Sequence, residues 1–161
     1  SEISYPVAVT ADGSGYFDFE TDNGLVSSFN MALANTYQIN LRVVGQEQTT
    51  VGLFGDSSVA EFSLAYNFNG ALSRQIGTTQ TVMSTGDWTI AIQPLVGGTT
   101  TSPSLSFQVQ GVALQTIVYS GVVSVVVVDL SSHYIPVVSG DALWQDANNI
   151  AFQNADEMLW N

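Results

Sequence analysis

The chain contains no cysteine, so its fold rests on neither disulfides nor thiolate metal sites, and cysteine usage says nothing about redox compartment. Lysine is absent too. Arg42 and Arg74 are the only cations against 14 carboxylates, and the formal charge is −12. Such a balance excludes nucleic acid and anionic membrane as expected partners, because phosphates are neutralised by Lys and Arg. The attraction it leaves is toward basic protein surfaces or divalent cations. The carboxylates are scattered along the chain, which argues against a disordered acidic tail. No Asn-x-Ser/Thr sequon occurs, and this weighs against a heavily glycosylated surface protein. The opening SEISYPVAV lacks both a basic n-region and a long apolar h-region, so no signal peptide is expected in the sequence as it stands.

What is present is β-structure. Residues 114–130, LQTIVYSGVVSVVVVDL, are the stretch around which the rest is organised. Their β-branched core loses rotamer freedom in a helix but packs well on a pleated surface. Ser120, Gly121 and Ser124 interrupt the run and Asp129 ends it, short of the roughly 18 to 20 apolar residues a membrane helix needs. Because the valines do not alternate with polar residues, the run reads as a strand buried on both faces. On that reading Val126→Asp abolishes folding.

Elsewhere the period is two. Ile3, Tyr5, Val7 and Val9 share one face of an extended segment, and Pro6 suits an edge strand or a terminal arm. Phe17 and Phe19 oppose Asp18 and Glu20, and Asp22-Asn23-Gly24 is a turn. Tyr37, Ile39, Leu41 and Val43 form one strand face, and Phe62, Leu64, Tyr66 and Phe68 another. Trp88, Ile90 and Ile92 lead to Pro94, which is expected to end their strand, with 96–103 as a hairpin tip. Leu105, Phe107 and Val109 alternate before the central run. The tail, 140–161, changes character, with a short helix or turn-rich segment expected near 141–149. About ten short strands at this spacing predict a single all-β domain over 1–161, a two-sheet antiparallel sandwich leaning to a jelly roll, with an irregular or helical C-terminal segment.

Candidate chemistry is sparse. Asp18, Glu20 and Asp22 offer oxygens to a hard cation such as Ca²⁺, but i and i+2 side chains stand roughly 6 to 7 Å apart along a strand, so a solvated face is the preferred reading. His133 is the sole histidine. With Ser131 or Ser132 and Asp129 it lacks a nucleophile elbow, and a corner histidine is preferred over a triad. Trp88, Trp144 and Trp160, with Tyr16 and Tyr37, would serve a sugar platform, although core or interface roles are preferred. The apolar ends, Ile3, Tyr5 and Val7 at one terminus and Trp144, Leu159 and Trp160 toward the other, are the expected interface.

The opening arm SEISYPVAV, Ser1 standing where an initiator Met could have been removed, the compact β core and the apolar tail together resemble the cement (decoration) proteins on tailed-phage heads. More distantly, the chain is similar to single jelly-roll capsid proteins. That resemblance implies a non-enzymatic virion protein without cofactors, on the capsid exterior, forming homotrimers that clamp major capsid or other scaffold subunits. The acidity fits an outward position better than a lining that faces DNA. A donor-strand pilin and a carbohydrate-binding adhesin, both extracellular or at a cell surface, are the alternatives.

Overall fold

The computed structural model of the chain describes residues 2–48, 55–70 and 72–129. Expectations for His133, Trp144, Leu159, Trp160 and the rest of 131–161 lie outside the described residues. Within them there are ten strands and no helix: β1 (Glu2–Asp12), β2 (Tyr16–Asp18), β3 (Ser28–Asn30), β4 (Asn35–Glu47), β5 (Ser57–Phe68), β6 (Ser73–Gln75), β7 (Gln80–Gly86), β8 (Ile92–Gly98), β9 (Pro103–Gln110) and β10 (Thr116–Asp129).

Alternation decides how they stack. β4 and β5 put every second side chain inward, among them Ile39, Leu41, Val43, Phe62 and Leu64, each buried to 5% exposure or less. β9 answers from the other layer with Leu105, Phe107 and Val109. The result is two antiparallel sheets in a sandwich-like arrangement: six strands in the order β1-β10-β4-β5-β6 with β7 also on β5, and four with β2, β3 and β8 on β9. The pairing is nested, as in a rolled hairpin. The first strand lies beside the last, and β2 and β3 lie beside the last but one. The β4–β5 hairpin is extended instead by β6 and β7, which both pair with β5, one along each end of its free edge.

Pro6 costs β1 no ladder bond. Ala8 turns both its backbone groups away from β10 to Glu20, at 3.1 and 2.9 Å, so by alternation the nitrogen of Pro6 also faces the open edge. Residues 16–20 thus start on β9 in one sheet and finish beside β1 of the other, closing one side of the sandwich. The opposing layers are also tied by Tyr119. Its hydroxyl accepts a hydrogen bond from Trp88 Nε1 at 3.0 Å and donates to the Gln110 carbonyl at 3.0 Å. Trp88 is held in turn by Ser58, whose hydroxyl accepts from its N–H and donates to its carbonyl.

Two expectations need correction. Pro94 does not end a strand: β8 runs through it to Gly98, because β8 is an edge and a missing N–H there faces solvent. The central run is central in its sheet, between β1 and β4, but it is buried on one face only. Val123 and Val125 are fully buried, whereas Val118, Val126 and Val128 are 38%, 44% and 54% exposed. The second layer covers just the inner face, so the unbroken valines report strand preference and not two-sided burial. Loss of folding in Val126→Asp is therefore no longer expected.

Candidate site on the outer face of the six-stranded sheet

That exposed face has a regular composition set by strand register. Across it run the rows Glu2–Val126–Gln38–Ala65, Ser4–Ser124–Asn40–Ser63, Pro6–Val122–Arg42–Glu61–Met83 and Ala8–Ser120–Val44–Val59–Thr85. Small side chains sit mid-sheet. Ser120 and Ser124 of β10 and Ala8 of β1 are among them. A shallow trough of about 400 Å³ forms there, lined by Arg42, Val44, Val59, Glu61, Met83 and Val122. A second of about 260 Å³ adjoins it, sharing Arg42 and Glu61 and adding Glu2, Ser124 and Val126. Asn40 donates to Glu61 Oε2 at 3.2 Å, and the Ser4 and Ser124 hydroxyls meet at 3.1 Å, so the polar positions are organised along with the apolar ones. One of the chain's two cations, Arg42, therefore stands on a face that mixes valines with small polar side chains, opposite Glu61 and with Glu2 at the β1 edge. Its chemistry suits contact with another macromolecule: apolar area, an arginine, and hydroxyls able to pair with backbone.

The residues singled out from sequence fall elsewhere. Ile3, at 53% exposure near the start of β1, has an open surface, but Val7 is buried and Tyr5 packs against the chain's own core. Asp18 accepts a hydrogen bond from Gln108 Nε2 at 2.9 Å, and Gln108 accepts one from Gln93 at 2.6 Å, a polar row on the other sheet. Glu20 contributes its backbone to the corner with Ala8. Among the described residues no three His, Cys, Asp or Glu side chains gather where an ion would sit. The aromatics do not share a platform: Tyr16 is 40% exposed, Tyr37 is buried against Phe29, and Trp88 is half-buried on Tyr119.

Tyr5 carries its own consequence. Its hydroxyl is buried without a hydrogen-bond partner, and that burial pushes the phenol up to about 12. An unfolded tyrosine releases its proton near pH ~10, so between these values the native state holds the extra proton. This contribution is intact below pH ~10 and is lost as pH rises toward the native value. Tyr5→Phe is expected to keep or raise stability at neutral pH, since it removes an unpaired buried hydroxyl, and to soften the alkaline loss. Urea melts at neutral pH and in the alkaline range check both. Burial also raises Tyr66 and Tyr119, so part of the slope persists.

No protein-family model matches the chain, and no curated protein matches it. Among solved structures, it is similar to part of the tailspike protein of Acinetobacter baumannii phage AM24, with a TM-score of 0.37, 7% identity, and coverage of 76% of this chain and 26% of that one. It is also similar to part of the tailspike protein of Acinetobacter phage vB_ApiP_P1, at a TM-score of 0.27 and 12% identity over 75% of this chain and 21% of that one. The chain thus spans about a quarter or less of the length of either tailspike. Likeness of this degree carries no argument about activity.

Proposed function

We propose that the chain is a non-enzymatic structural protein of a virus particle, a decoration protein on the head exterior that seats as a homo-oligomer on capsid or other scaffold subunits. The observation that carries this is the outer face of the six-stranded sheet, where Val118, Val126 and Val128 of β10 are left in water and Arg42 shares one trough with Val122 and another with Val126. Exposed apolar side chains gathered with an arginine and hydroxyls suit a binding surface, and arginine is among the residues enriched at interface hot spots. The charge of −12 steers the chain toward a basic partner and away from packaged DNA. The pairing of β1 with β10 over its whole length supports decoration over donor-strand exchange, because the arm already completes its own sheet.

The test is binding of purified protein to heads stripped of it, followed by heat challenge of the decorated heads. Val126→Asp and Arg42→Ala are each expected to weaken binding by more than about tenfold, ~1.4 kcal/mol, with melting temperatures near wild type. Wild-type protein that neither binds heads nor protects them defeats the virion role. Binding that both variants retain in full places the contact on another surface.

A further inference from the structure

Among the described residues, the sheet edges are not guarded alike. β1 carries Pro6 and ends in Glu2 and Asp12, and Glu20 already occupies Ala8. β8 carries Pro94. β7, the edge beyond β5, reads Gln80-Thr81-Val82-Met83-Ser84-Thr85-Gly86, with no charge and no proline. Exposed edges normally bear such devices because their unpaired backbone groups recruit another strand. All seven residues of β7 are exposed, Val82 at 58% and Met83 at 44%, so this strand gains little burial from its own sandwich on either face. A bulge displaces Val82 from the β5 ladder, while Met83 to Gly86 keep register with Glu61 to Ser58.

We propose that the free side of β7 pairs antiparallel with β7 of a second copy of this chain, about a twofold axis at Met83. The charge pattern selects this occupant. A basic partner finds no carboxylate on β7, whereas two chains of −12 can meet only where carboxylates are set back. Glu61 lies one strand behind Met83. In the paired sheet the two Glu61 residues stand three strand spacings apart, about 14 Å, beyond the Debye length of about 8 Å at physiological salt. The twofold sets Thr81 opposite Thr85, Val82 opposite Ser84, and Met83 opposite its counterpart, pairs that suit cross-strand contact. A single strand pair falls below the ~800 Å² per partner of a standard interface, so the dimer forms and dissociates with concentration. It is a pair, not the trimer that the cement resemblance implies.

The absence of cysteine makes the test clean. Single variants Met83→Cys, Ser84→Cys and Thr85→Cys on β7, with Ser4→Cys on β1 and Leu95→Cys on β8 as references, are oxidised as isolated full-length protein. Directly opposed strand residues stand about 4.5 to 5.5 Å apart, within the span of a disulfide. Covalent dimer is expected at Met83→Cys, decreasing toward Thr85→Cys, absent from both references, and lost when Thr81→Lys is added to Met83→Cys. Cross-linking equal at the reference edges, none on β7, or a trimeric mass for the unmodified chain in light scattering overturns the proposal. These readouts use no heads, so failure of the β7 joint and failure of the decoration role are separable.

Discussion

Val125→Asp will not yield folded protein, whereas Val126→Asp, one residue on, will be soluble and melt cooperatively within a few degrees of wild type. Val125 is 1% exposed on the inner face of β10, and a carboxylate there meets hydrocarbon from the facing layer. An unpaired buried charge costs several kcal/mol against a total stability of about 5 to 15, so the native state is not populated. Val126 points outward at 44% exposure, opposite Glu2 on β1 and Gln38 on β4. Its replacement costs about 1 kcal/mol or less, from lost strand preference and a like charge across the ladder. Expression, circular dichroism and thermal melts of the two variants decide the matter. Equal behaviour, in either direction, would contradict one-sided burial of β10.

Gly111→Ala is expected to be strongly destabilising for so small a change. Gly111 follows β9, and its N–H donates to the Gly15 carbonyl at 2.9 Å, pinning the β1–β2 corner to the β9–β10 corner. A Cβ at residue 111 runs into the carbonyl oxygen of Gly13 and crowds Ala11. Ala11 closes β1 and Gly13 stands in the turn that follows, where the obstructing atom is backbone, so no rotamer change relieves the clash and the two corners must part. A loss of about 2 kcal/mol or more is expected, in the range of strained backbone and overpacked cores. Gly15→Ala, four residues from Ala11, is the reference. Its nearest neighbour would be the Phe17 ring at 4.0 Å, an ordinary contact, and it should stay within about 0.5 kcal/mol of wild type. Chemical denaturation of both reads the difference.

What the sequence disclosed depended on whether burial left a period behind. β4, β5 and β9 each bury one face and expose the other, so Ile39, Leu41, Phe62, Leu64 and Phe107 announce themselves by alternation. The turn at Asn23-Gly24 was legible for a different reason: Gly24 adopts a φ of 75°, which glycine tolerates without strain. β10 hid its period because valine occupies both faces, and valine favours a strand whether or not it is covered. The sole outward cue was Ser120 and Ser124, which share the solvent face with Val118, Val122 and Val126. The trough around Arg42 was invisible for a further reason. Its residues come from β10, β4, β5 and β7, and only register brings them into rows. Likewise Tyr5 and Val7 alternate as any exposed arm would, and it took their pairing with β10 to turn them inward.

On a particle, the outer face of the six-stranded sheet is expected to be covered. Covalent labelling of carboxylates by carbodiimide, read by peptide mass spectrometry on free and head-bound protein, measures this directly. Glu2 and Glu61, which line the troughs, are expected to lose labelling on binding, while Asp18 on the opposite sheet is unchanged. Unchanged labelling at Glu2 and Glu61 on protein shown to be head-bound, or protection confined to Asp18, would contradict it.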